Sequence, residues 1–135
     1  MFKDIAEIRS IREQIAHLSK REKELTEPML TDLDMIPVLY KWFTEIIAKR
    51  DCPPRPESVT QRKKFLYIVL SLYSPSALAG GKMKSGLREK VGEVWGLHGK
   101  SAVSDNLKNL VFHCQIYDEF KQDIEYIYKE IVERL

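Results

Sequence analysis

Cysteine is scarce in this chain: Cys52 and Cys114 are the only two among 135 residues. Neither lies in a CxxC pair or near a histidine at a zinc-ligand spacing, so neither a zinc finger nor a disulfide scaffold is encoded. Long apolar runs are missing too. The longest span about five or six residues, far short of the roughly twenty that cross a bilayer. The N-terminus, Met1-Phe2-Lys3-Asp4, turns charged at once and lacks the apolar stretch of a secretory leader. A cytoplasmic protein with free thiols is the expectation. Histidine is sparse and scattered, at His17, His98 and His113, with no Ser, Cys or carboxylate at a spacing that implies a triad. Gly80-Gly81-Lys82-Met83-Lys84-Ser85 lacks the earlier glycine and the Gly-Lys-Ser/Thr order of a nucleotide-binding loop. No catalytic residue, metal site or cofactor is expected, and no internal repeat is visible.

Hydrophobic residues make up 44% and charged residues 31%, a globular balance for one modest domain with a real core. Net charge is small, at +2, but unevenly spread. Residues 1–48 sum to −2, residues 49–116 to +7 and residues 117–135 to −3. A basic middle between mildly acidic ends points to an anionic partner, or to solvated lysines.

The segment from Phe2 to Leu25 has no Pro or Gly and many good helix formers. Ile8, Ile11, Ile15, Leu18 and Leu25 alternate spacings of three and four, with Glu22 interrupting, which is a coiled-coil seam. On that register Glu7 and Arg12 take positions that meet with opposite charge across a parallel pair. The pattern fits a dimerising arm, and equally an amphipathic helix packed on its own domain. Glu27-Pro28 ends it.

A second helix is expected from Asp34, as cap, to Lys49-Arg50, burying Ile36, Leu39, Tyr40, Phe43, Ile46 and Ile47. Residues 51–57 read as a stiff proline-rich connector. Ser58 opens a third helix. Phe65 to Tyr73 is apolar enough for a buried strand, but strands to pair with it are hard to find, so helix is preferred. A short turn at 76–79, helices at 86–95 and 102–114, and a last one over 117–135 follow. The last helix lines up Ile124, Ile127, Tyr128, Ile131 and Leu135. Tyr117, Phe120, Tyr126, Tyr128, Trp42 and Trp95 read as packing residues.

Residues 88–110 carry the functional hint. Gly92 is a small residue suited to face a partner helix. Gly96 follows four positions later as a turn residue, then Leu97, and a Ser-Ala-Val-Ser run opens the next helix. Val103, Leu107 and Leu110 would face inward. This segment resembles the helix-turn-helix family of DNA-binding motifs, with one extra residue between Gly96 and Val103. The resemblance implies that the second helix presents its outer face to a major groove. Lys100, Ser101, Ser104, Asp105 and Lys108 would lie on that face. Ser104 and Asn109 would contact base edges or phosphate, Lys100 and Lys108 phosphates, and Lys82, Lys84, Arg88 and Lys90 the flanking backbone. Leu66 to Tyr73 and Phe112 to Tyr128 are also similar to small uncharacterised proteins of bacterial prophages and mobile elements, which implies no known activity.

The sequence therefore predicts an all-α bundle of five or six helices. Residues 1–27 form an amphipathic arm and 28–135 a helical core containing the helix-turn-helix-like segment, 86–114. The expected function is non-catalytic DNA binding, accessory or regulatory, with a homodimer through the arm. A helical protein–protein adaptor without nucleic-acid contact is the alternative. No membrane partner is expected.

Overall fold

The computed structural model describes residues 1–50, 55–97, 101–107 and 110–135, with 101 and 102 as backbone. All regular structure among them is helical, and no strand occurs. Helix α1 spans Phe2–Leu25 and ends at Thr26, whose N–H and hydroxyl both donate to the Glu22 carbonyl. Helix α2 spans Ile36–Arg50 after a 3-10 turn at Leu33–Met35. The cap is Asp32 rather than the expected Asp34: its carboxylate accepts the Asp34 N–H at 3.0 Å. The 3-10 turn inserts residues between cap and helix, and spacing in the sequence does not reveal such a turn.

Helix α3 covers Val59–Tyr73, capped by Ser58, which settles the helix-or-strand question for 65–73 as helix. Helix α4 is the short turn Pro75–Leu78. Helix α5 is Leu87–Val94 and α6 is Ser101–Leu107. Helix α7 is Leu110–Ile116 and α8 is Asp118–Arg134. The helix expected over 102–114 thus corresponds to α6 and α7, with 108 and 109 outside the described residues. Among the described residues the helical segments, the short α4 included, number more than five or six. Of the proline-rich connector, 51–54 also lie outside.

The core is built around α3. Phe65, Leu66, Ile68, Val69, Leu70, Leu72 and Tyr73 are all buried, leaving no polar stripe along the second half of the helix. A helix apolar all round must be enclosed. Here α2, α4, α6 and α8 pack around it. From α2 come Ile36, Leu39, Phe43, Ile46 and Ile47, and from α8 Phe120, Ile124, Ile127 and Ile131. The Phe43 and Phe65 rings lie 5.3 Å apart, and Tyr40 meets Phe65 edge-on at 5.0 Å, contacts each worth about 0.5–1.5 kcal/mol beyond burial. On α8, Leu135 is exposed rather than buried, because it stands beyond the last turn.

Polar ties fix the ends of α3. At its C-terminal end the Tyr73 hydroxyl donates to the Asp32 carbonyl at 2.6 Å. Burial, helped by the Asp32 charge, pushes that phenol up to about 12, so it stays a donor. The Leu30 N–H donates to the Leu72 carbonyl at 3.0 Å. At the other end the buried Lys64 ammonium reaches Asp123 Oδ2 on α8 at 3.0 Å. Arg50, closing α2, reaches Oδ1 of the same carboxylate at 2.8 Å. One aspartate therefore joins α2, α3 and α8. Burial alone would push the Asp123 carboxyl up, but hydrogen bonds and charge from Lys64 and Arg50 outweigh it and hold it below the usual carboxylate value.

Asp123→Asn strands the Lys64 ammonium in a low-dielectric site and should cost about 2 kcal/mol, read from urea unfolding. The parent's contribution has a definite pH window. A carboxyl whose folded value lies below its unfolded value of about 3.9 stabilises fully above that value, and the effect is lost as pH falls through the folded one. The Asn variant should therefore show a flatter stability profile below pH about 4.

Candidate nucleic-acid interface

The α5–α6 pair is assembled by two glycines. Gly92 is buried on α5, and a β-carbon there would stand 3.4 Å from the Leu97 carbonyl oxygen and 4.0 Å from Val103 Cγ2 on α6. The two helices approach across this missing side chain. Gly96 takes φ +70°, a left-handed conformation that closes α5. The chain then turns back so that the Leu97 N–H donates to the Gly92 carbonyl at 2.9 Å. Val103 and Leu110 are fully buried and Leu107 half-buried, so the face expected to turn inward does so, most completely at its two ends. Asn106 is buried beside them, which the spacing did not suggest.

At the start of α5, Lys82 and Lys84 from the preceding loop and Arg88 from the first turn line one cleft of about 460 Å³, with Glu89 and, from the end of α6, Leu107. The three cations play different parts. Lys82 is exposed. Lys84 is half-buried and braced: its ammonium donates to the Thr31 carbonyl at 2.8 Å and sits 5.9 Å above the Tyr73 ring. Its N–H donates to Ser74 Oγ at 3.1 Å. Arg88 is half-buried, and its Nε is shielded from solvent without a hydrogen-bond partner in the described structure. Lys90, expected to add a backbone contact, instead turns to Asp34 at 3.3 Å and Glu93 at 3.8 Å.

On α6, Ser104 is half-buried and Asp105 exposed. Ser101 begins the helix. Lys100, Lys108 and Asn109 lie outside the described residues, as does His98. Of the eight residues proposed to meet DNA, then, Lys82, Lys84 and Arg88 gather at one cleft and Ser101 and Ser104 belong to the second helix.

Comparison with known proteins finds no matching family model, no matching curated protein and no matching solved structure.

The basic run before the core divides three ways. Arg62 lies over the Trp95 ring at 5.6 Å, Lys63 approaches His113 Nδ1 at 3.4 Å, and Lys64 turns inward to Asp123. Lys63, His113 and Asp123 line a second cleft of about 480 Å³ on another side of α3. Sequence reasoning did not single out that cleft, because its walls come from residues fifty or more positions apart. Among the described residues no group of three His, Cys, Asp or Glu side chains is placed to hold a metal ion. No described helix is long and apolar enough to cross a membrane.

The Gly92 contact leaves room for one carbon and no more. Gly92→Ala should raise stability by up to about 1 kcal/mol through helix propensity. Gly92→Leu should lower it by about 1–3 kcal/mol by forcing α6 off α5. Urea midpoints of the two variants check both signs.

Proposed function

We propose that this chain is a non-catalytic DNA-binding protein, accessory or regulatory, that meets duplex DNA through α5 and α6. The observation that carries this reading is the coincidence of two features. A glycine-set helix pair stands where the helix-turn-helix resemblance falls, and Lys82, Lys84 and Arg88 converge at the start of its first helix.

The physics assigns separate parts to the two helices. Residues entering α5 carry the cations and the positive end of a helix dipole, both suited to a phosphate backbone. Lys82 supplies an exposed charge and Arg88 a planar donor, while Lys84, tied to Thr31, fixes the loop and contributes charge at a distance. The outer side of α6, with Ser104 and Asp105, would face base edges, where Asp105 selects for a cytosine amino group. Asn109 belongs to the same reading as a contact to base edges or phosphate, Lys100 and Lys108 as phosphate contacts, and Ser101 as part of the same helix face.

A second reading, a helical assembly adaptor with no nucleic-acid contact, is favoured by one observation: none of the 24 residues of α1 is buried, so its apolar side is open to a protein.

Titration of a labelled duplex at several salt concentrations separates the two. The DNA reading expects affinity that falls steeply with salt. Lys82→Ala should weaken binding on every sequence and reduce the slope of log affinity against log salt by about 1. Lys20→Ala, on α1, should leave both unchanged. Absence of duplex binding at about 50 mM salt overturns the DNA reading and leaves the adaptor.

A further inference from the structure

Helix α1 is 24 residues long, or about 36 Å. Ile8, Ile11, Ile15, Leu18 and Leu25 are between 45% and 66% exposed, although they occupy one side of the helix. Helices in water are held mainly by packing an amphipathic face, and nothing within the described chain covers this one. In the heptad register Ile8, Ile15 and Glu22 take position a, and Asp4, Ile11, Leu18 and Leu25 take position d.

We propose that α1 pairs with α1 of a second copy of this chain in a parallel, in-register two-stranded coiled coil. Charge selects this occupant and this direction. Glu7 at g and Arg12 at the following e have no ion-pair partner among the described residues. A parallel pair brings Glu7 of each copy to Arg12 of the other, forming two symmetric ion pairs. It also sets Arg21, at g, beside the partner's Glu22, so the one acidic a layer is flanked by guanidinium groups. An antiparallel pair centred on the same isoleucines exchanges these pairs for Glu7–Arg21 contacts but places Arg12 against Arg12; acidic layers form in either direction, Glu22 on Asp4 there and Asp4 and Glu22 each on itself in the parallel pair. The Arg12–Arg12 contact, absent from the parallel pair, opposes it. Isoleucine at a with leucine at two of the d positions favours two strands.

The proposal is independent of DNA binding. Because α1 contributes nothing to the core, its seam can be altered without unfolding the rest. Sedimentation equilibrium of the full chain should give twice the 15.8 kDa chain mass, unchanged by high salt. Ile11→Asp and Ile15→Asp should each give a monomer whose thermal unfolding of the core is unaltered. Chains carrying Glu7→Arg and chains carrying Arg12→Glu should each associate at least tenfold more weakly alone and recover when mixed. For direction, Ile8→Cys in a background of Cys52→Ser and Cys114→Ser should cross-link to itself on oxidation. A monomer at all concentrations, a trimer, a dimer indifferent to Ile11→Asp, or no cross-link through position 8 overturns the proposal.

Discussion

A helix enclosed on every side has no solvent face for its charges, and α3 is enclosed along most of its length. That constraint organises the rest. Lys64 is buried among apolar neighbours and requires a carboxylate, and Asp123 from the far end of the chain supplies it while holding Arg50 with its second oxygen. At the opposite end Tyr73 requires an acceptor and finds it in the Asp32 backbone. Ser74, just past the end, receives the N–H of Lys84. The loop that carries the basic cleft is therefore pinned to the same helix that anchors the core. The position of Lys82 and Arg88 is a consequence of how α3 is finished at its C-terminal end.

Much of this was legible because it is local. The bounds of α1, the cap at Ser58, the break at Ser74-Pro75 and the glycines at 92 and 96 all act within a few residues, where spacing and residue type decide. The α2 face was legible for the same reason, since six apolar positions at helical spacing admit one buried side. What spacing could not supply was the fate of individual charges. Gln61-Arg62-Lys63-Lys64 reads as one basic turn, yet its three cations diverge to Trp95, His113 and Asp123. A pairing across 59 positions leaves no local mark. The burial of Asn106 and the Lys84 brace to Thr31 were hidden in the same way.

The charge distribution takes on a different meaning once these pairings are known. The excess of +7 over 49–116 suggests a field reaching outward. Arg50 and Lys64 share the single Asp123 carboxylate of the acidic last segment, and Lys90 pairs with Asp34 and Glu93. Part of the asymmetry along the sequence is thus complementarity between segments that fold together. Of the other described cations in that stretch, Lys82, Lys84 and Arg88 share one cleft, while Lys49 and Arg55 are exposed elsewhere and Arg62 and Lys63 turn to Trp95 and His113. The grouped three matter more to an anion than the scattered ones, because exposed charges farther apart than the Debye length of about 8 Å act almost independently at physiological salt.

Arm and core also constrain each other. Between the last turn of α1 and the Leu30 N–H that is fastened to Leu72 lie residues 26–29, which span at most about 14 Å. Two copies joined in parallel along α1 would leave the coiled coil at the same end, each on a tether too short to wander. Their α5–α6 pairs would be held within a limited separation, as a symmetric site with two half-sites requires. Linking two weak electrostatic contacts in this way raises the effective concentration of the second once the first is made. On that proposal, a cleft with only a few cations would act as one of a pair. The length of α1 beyond the core has a physical role on this view, since a seam of two and a half heptads must supply the association that a single head does not.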